Sequence, residues 1–321
     1  MIITCGEALF DVFADGAAGE ADPFAISARG VVGGSPLNVA LGLSRMGSKS
    51  GIFTRVSTDA LGQKLSAFLD ENGVSRQFCV TTDKHYTTFV LIQTKPDGQP
   101  DYAIYCNGTA DCSMEMADIP ETLSDDVKVI HLGSFATVLP GTGDVHRAFA
   151  KREAAQRFIT YDPNVRTMVE PDLDRWREIN DDLVPIANFV KASDEDLHIL
   201  YPDRPIEHFA EDVISKGADI CIVTCGPDGA LIMSKDGQVH QVSGVTVDVK
   251  DTVGAGDTFQ AACLHFLEKH DAFSSEKLAQ LDLLEMGNFA THAAALTCTR
   301  RGADLPTGAE IEAFMASSQA S

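Results

Sequence analysis

The residues with the clearest chemical potential lie late in the chain, in Asp251-Thr252-Val253-Gly254-Ala255-Gly256-Asp257-Thr258-Phe259. Gly254, Ala255 and Gly256 carry almost no side chain, and Phe259, Ala262, Cys263, Phe266 and Leu267 follow at helical spacing. Small residues at a helix entry leave backbone amides free to close around an anion, with the helix dipole behind them. Asp257 falls in the first turn of that helix. A carboxylate beside an anion site has two readings. It is a general base that takes a proton from a hydroxyl as the hydroxyl attacks a phosphate, or it is a first-turn acid that only stabilises the helix. Other phosphate signatures are missing: there is no Gly-x-x-x-x-Gly-Lys-Ser/Thr, and Phe259 stands where a dinucleotide fold needs its third glycine.

These residues need a frame to hold them. Residues 2–5, 127–131, 158–161, 189–192 and 220–224 are short apolar runs that end in polar or Gly/Pro turns. Val245, Val247 and Val249 alternate ahead of Asp251 and read as a further strand. Helical patterns fill the intervals at residues 142–157 and 205–216, the second with Ile206, Phe209, Ala210, Val213 and Ile214 on one face. Strand and helix alternating in this way predict an α/β fold, a mostly parallel sheet with helices on both faces. Ligands in such folds sit beyond the carboxyl ends of the strands. Two segments interrupt the alternation. Residues 11–32 are polar and rich in Gly and Ala, and residues 87–106 read as a hairpin turning at Lys95-Pro96-Asp97-Gly98-Gln99. We read segments 11–32 and 86–108 as a small β-lid over the cleft of a single domain spanning 1–321; a plain surface hairpin is the alternative.

Composition limits what the anion is. Lys plus Arg number 25 against 47 Asp plus Glu, a net charge of −22. So acidic a chain repels nucleic acid and anionic membranes, and the positive potential for any anionic substrate must be local. No apolar stretch approaches a membrane span, and the chain's start lacks the pattern of a signal peptide. The eight cysteines include no Cys-x-x-Cys pair and read as reduced thiols. A cytoplasmic protein is expected.

The string around Asp257 resembles the C-terminal signature of the ribokinase-like (PfkB) carbohydrate kinases, and Gly33-Gly34-Ser35-Pro36-Leu37-Asn38 resembles their N-terminal one. Within that family, Asp162-Pro163-Asn164-Val165-Arg166 and Lys191-Ala192-Ser193-Asp194-Glu195-Asp196 are most similar to bacterial fructokinases. The resemblance covers almost the whole chain. It implies a three-layer α/β/α fold with a β-sheet lid, and ATP-dependent phosphorylation of a sugar, for fructokinases D-fructose to fructose 6-phosphate. By resemblance Asp257 matches the catalytic base and Gly254, Ala255 and Gly256 the anion hole. Asp11, Gly33, Gly34 and Asn38 match the sugar site. Thr224, Gly226 and Gly229 match the nucleotide loop, although Thr224 to Gly229 alone reads as a hairpin turn. Ser193 and Asn288 fall near the nucleotide. Arg166 supplies a guanidinium at the transferring phosphate or is a surface salt-bridge arginine.

Cations follow from the same likeness. ATP implies Mg2+, which relatives organise with Asn-x-x-Glu; here Ser193 and Asp196 occupy those places, so Asp196 or Glu195 organises Mg2+ directly or through water, or the segment is a helix-start cap. Backbone carbonyls at Asp251, Val253, Thr297, Arg300 and Gly302 would surround K+. A homodimer through the lid is a further family implication. Kinases for ribose, another ketohexose or 2-keto-3-deoxygluconate are the alternatives within the family, and a non-catalytic sugar- or nucleotide-binding regulator the alternative outside it. Cys106, where kinases of carboxylate sugars carry Arg, points to a neutral sugar.

Overall fold

Alternation of side chains along the strands decides the layering. In the computed structural model, which describes residues 1–14, 26–94 and 100–319, Ile2, Val129, Phe158, Phe189 and Ile220 enter one apolar core, while Ile3, Ile130, Ile159, Val190 and Cys221 enter another. These five strands are thus buried on both faces, as a parallel sheet between two helix layers requires.

The strands are β1 (Ile2–Cys5), β2 (Leu9–Ala14), β3 (Ala28–Gly33), β4 (Ser50–Ser57), β5 (Cys79–Thr82), β6 (Phe89–Thr94), β7 (Pro100–Tyr105), β8 (Val129–Gly133), β9 (Phe158–Asp162), β10 (Phe189–Ser193), β11 (Ile220–Thr224), β12 (Ala230–Ser234) and β13 (Val239–Val242). The helices are α1 (Ser35–Arg45), α2 (Ala60–Glu71), α3 (Thr142–Glu153), α4 (Leu173–Leu183), α5 (Asp194–Leu200), α6 (Ile206–Ser215), α7 (Ala255–Lys269), α8 (Ser275–Leu278), α9 (Leu283–Cys298) and α10 (Gly308–Gln319). Nine strands form one sheet in the order β13-β12-β11-β10-β9-β8-β1-β4-β5, parallel except at its end, where β12 runs antiparallel to β11 and β13 antiparallel to β12. One core holds residues of α1, α7, α9 and α10, the other residues of α3, α4 and α6. This is the ribokinase-like α/β/α arrangement.

The interruptions form a second sheet, β3-β2-β6-β7. The hairpin β6-β7 is antiparallel, and β6 lies parallel to β2. Its turn, residues 95–99, and residues 15–25 of the other segment lie outside the described residues. The strand expected at Val245, Val247 and Val249 does not form. Residues 243–253 run without strand structure, Val249 is 58% exposed, and the segment is instead tied to the end of α9 by the Lys250 and Asp251 amides, which donate to Cys298 O. With β13 already at the sheet's edge, these valines lack the apolar surface an alternating strand must face.

Candidate active site

At the entrance of α7, Gly254 takes a left-handed conformation, φ 79°, so the chain turns sharply and Ala255, Gly256 and Asp257 open the helix. Asp257 is held from the other half of the sequence. Ser35 Oγ donates to Asp257 Oδ1 at 2.7 Å and Asn38 Nδ2 donates to Oδ2 at 2.8 Å. Both donors lie in the first turns of α1, which packs against α7. Asn38 is buried, and its Oδ1 keeps no hydrogen-bond partner.

Asp11, on β2, faces the same space. Burial and then the charge of Asp257 push its carboxyl up to about 6, with Arg166 pulling it back. Gly33 lies on the neighbouring strand β3, and a Cβ there would overlap Asp11 Oδ2. A Cβ on Gly34, where φ is 108°, would sit 2.7 Å from Glu7 O. Gly33 lets β3 close on Asp11 of β2, and Gly34 lets the start of α1 close on Glu7, with Asp11 within electrostatic reach of Asp257. The exposed Arg166 donates to Val165 O, and its charge reaches both Asp11 and Glu7.

Sequence reasoning assigned no role to Lys191. This residue of β10 is 4% exposed, its Nζ donates to Asp162 Oδ2 at 2.8 Å, and a Cβ on Gly256 would lie 3.3 Å from that nitrogen. A buried ammonium thus stands directly beneath the Gly254-Ala255-Gly256 turn. Burial works against its charge, but Asp162, with Asp196 and Asp257 beyond it, outweighs burial and raises Lys191 above the ordinary lysine value. The signal was present: a lysine inside the apolar run Phe189-Val190-Lys191-Ala192 must find a partner. Ser35 was likewise quoted as part of a motif without a role. Glu7 is also buried at this end of the sheet, pushed up to about 7 by burial, with a Ser134 hydrogen bond and Arg166 opposing the rise.

The nucleotide candidates line the carboxyl ends of adjacent strands, with Ser193 of β10 in register with Thr224 of β11. Thr224 Oγ1 donates to Ala192 O, and Gly226 and Gly229 both have positive φ in the connection to β12. That connection is an antiparallel hairpin, as the turn residues alone predict. Asn288 of α9 is half-buried, and its carbonyl meets His292 Nδ1 at 2.7 Å. Asp196 closes a capping box with the N-cap Ser193: it accepts from Ser193 N and Oγ at one oxygen and from Val165 N at the other. Asp162 Oδ1 beside it is buried without a hydrogen-bond partner, which suits a water in the shell of a cation. Among the described residues no cluster of three His, Cys, Asp or Glu could hold a metal by itself. At the other candidate cation site, Asp251 accepts from Val253 N and Gly302 N, and Arg300 N donates to Thr297 O. The five residues proposed around K+ are therefore joined in two hydrogen-bonded groups.

The sequence matches the profile of the pfkB family carbohydrate kinases over residues 2–309. The chain belongs to this family. It is a sugar phosphotransferase. A fructokinase of Rhizobium leguminosarum bv. trifolii is 34% identical over 286 residues, covering 88% of this chain and 84% of the relative. Among solved structures of PfkB-type kinases, an uncharacterised sugar kinase of Pyrococcus horikoshii in complex with ATP superposes with a TM-score of 0.78 at 27% identity, covering 97% of this chain and 96% of the other. A double-mutant fructokinase of Vibrio cholerae, bound to fructose, ADP and potassium ion, gives 0.83 at 25% identity, covering 98% and 97%. No described helix is long and apolar enough to cross a membrane.

Proposed function

We propose that this kinase is a fructokinase, converting D-fructose and ATP to fructose 6-phosphate and ADP. The observation that carries the reading is Asp257, clamped by Ser35 and Asn38 at the mouth of the anion-hole helix and facing Asp11 across one pocket. Asp257 accepts the proton of the C6 hydroxyl while that oxygen attacks the γ-phosphorus. The new O–P bond forms as the bridge to the β-phosphate breaks, and ADP leaves with the bridging electrons. Gly254, Ala255 and Gly256 offer amides to the transferring group, and Lys191 below and Arg166 at the rim supply positive charge.

Asp11 and the free Oδ1 of Asn38 accept hydrogen bonds from sugar hydroxyls. With Asp11, Glu7 and Asp111 around this end and Arg166 the facing cation, a neutral polyol fits better than a carboxylate sugar. The second sheet acts as the lid, and its exposed Tyr102 and Tyr105 suit pairing with a second copy. Thr224, Gly226, Gly229, Ser193 and Asn288 hold the nucleotide. Mg2+ bound with ATP would neutralise phosphate charge, with Asp162 and Asp196 ordering waters around it, and K+ would rest on the carbonyls near Asp251. The setting is cytoplasmic.

The fructose assignment draws on likeness to fructokinases, so it is tested on sugars. An ADP-release assay with MgATP across fructose, ribose, glucose, mannose, tagatose and 2-keto-3-deoxygluconate should give the highest kcat/KM on fructose. A clear preference for another sugar displaces fructose, and binding without turnover on any of them rejects the catalytic role of Asp257.

A further inference from the structure

One deeply buried carboxylate takes no part in the proposed phosphoryl transfer. Asp111 is 2% exposed and stands where the chain returns from β7 toward the large sheet. Three passages of chain that enter or leave the small sheet meet on it. Asp111 Oδ2 accepts from Ala8 N at 3.3 Å, one residue ahead of β2, and Oδ1 accepts from the Thr88 hydroxyl, one residue ahead of β6. Thr109 Oγ1, beyond the end of β7, lies 3.3 Å from Asp111 Oδ1 and 2.5 Å from Thr88 Oγ1. Backbone bonds run beside these contacts: Ala110 N donates to Tyr86 O at 2.8 Å, and Phe10 N donates to Thr88 O at 3.1 Å. A carboxylate this deeply buried is costly unless donors fill its oxygens. Here the donors come from the roots of three strands.

This joint reaches the sugar pocket through the pairing of β2 with β6. The two strands run parallel, with Phe10 aligned to Phe89 and Asp11 to Val90. Asp11 is therefore the second aligned residue beyond the point where Asp111 holds both strands. On its other flank β2 pairs with β3, Asp11 opposite Val31, and Gly33 lets that strand close in. The bonds that Asp111 makes run to neither α1 nor α7, which carry Ser35, Asn38 and Asp257.

We propose that Asp111 is a positioning residue for sugar binding: it fixes the register and spacing at which β2 and β6 leave the large sheet, and so the place of Asp11 in the pocket. It acts through Ala8 and Thr88 and touches no substrate. The proposal rests on the reading of Asp11 as an acceptor for sugar hydroxyls.

The chemistry of the joint supplies its own control. Asparagine can keep it: Oδ1 accepts from Ala8 N, and Nδ2 donates to Thr88, whose hydroxyl turns to donate to Thr109 Oγ1, while Thr109 donates to Cys106 O at 2.8 Å. Alanine can keep none of it.

The test measures initial rates of the full-length enzyme with its preferred sugar and MgATP. Asp111→Ala should raise the KM for sugar about 2- to 10-fold, the worth of one hydrogen bond, with kcat and the KM for ATP near wild type. Asp111→Asn should bind sugar as wild type does. Thr88→Val removes one arm of the joint and should raise the KM for sugar by less, and Thr88→Ser should restore it; this pair decides the matter if Asp111→Ala does not fold. A KM for sugar unmoved by loss of the joint, or a loss spread equally over kcat and both KM values, overturns the proposal and leaves Asp111 as a staple of the fold. Asp11→Asn is measured alongside. If it raises the KM for sugar and Asp111→Ala does not, the assignment of Asp111 alone is wrong; if neither moves it, the sugar reading of Asp11 fails and the proposal falls with it.

Discussion

A carboxylate that takes a proton from an alcohol must be fixed before the alcohol arrives, and the hydrogen bonds from Ser35 and Asn38 fix Asp257. Asparagine there keeps the size and helix-starting character of the side chain but cannot accept the proton. Asp257→Asn should therefore lower kcat by about 10²–10⁴-fold with a thermal midpoint close to wild type; turnover retained in the ADP-release assay sinks the base assignment. Asp11 titrates in a useful range. Its folded value is raised from 3.8 to about 6, so between those values the folded state holds a proton that the unfolded chain has lost, and stability falls as pH rises through that window. The ionised form is the better acceptor for hydroxyls, so kcat/KM should rise as pH passes about 6. Asp11→Asn should remove that limb and raise KM for sugar, yet gain thermal midpoint above about pH 6 and not below about pH 4; a limb that persists unchanged would place the titration elsewhere. At this scale Asp257 was legible because Gly254-Ala255-Gly256 flagged it. Lys191 left only a general signal, a charge inside an apolar run, and the fold alone supplies its neighbours Asp162 and Gly256.

Helix α1 carries Ser35 and Asn38, and α7 carries Asp257, so the proposed placement of the base depends on how closely two helices meet. Gly42 sets that distance: a Cβ there would lie 2.8 Å from Ala261 Cβ and 2.8 Å from Leu305 Cδ2. Gly42→Ala should cost roughly 1–3 kcal/mol of stability through overpacking and lower kcat more than it changes KM for ATP. A change confined to KM for ATP would show that the helix spacing does not position the base. The elements with strong periodicity were readable in advance. β1 and β11 formed over the expected residues, and α6 runs from Ile206 to Ser215 as its apolar face required. The alternation of Val245, Val247 and Val249 misled, because period-two spacing does not say whether a partner strand is available. The parallel pairing of β2 with β6, which joins the two interruptions into one sheet, leaves no local trace.

The whole molecule carries a net charge of −22, yet its reaction consumes a polyanion. In the proposed site, positive charge comes from Lys191 under the turn, Arg166 and the amides opening α7. With so little fixed positive charge, added cations must supply part of it. Removing divalent ions with EDTA should abolish turnover and Mg2+ should restore it, and K+ should raise kcat modestly over Na+ at equal ionic strength. Equal rates in both monovalent salts would dismiss the site around Asp251.

The hydrogen bond from Ser35 to Asp257 spans 222 residues. On a ribosome moving at about 5–20 residues per second, α1 emerges roughly 10–45 s before the helix it must meet. Through that interval Val39 and Leu43, which share a core with Phe259, Ala262 and Phe266 of α7, wait without it. The active centre is thus among the last things the nascent chain completes, and until then its first half is a client for whatever shields apolar surface during synthesis.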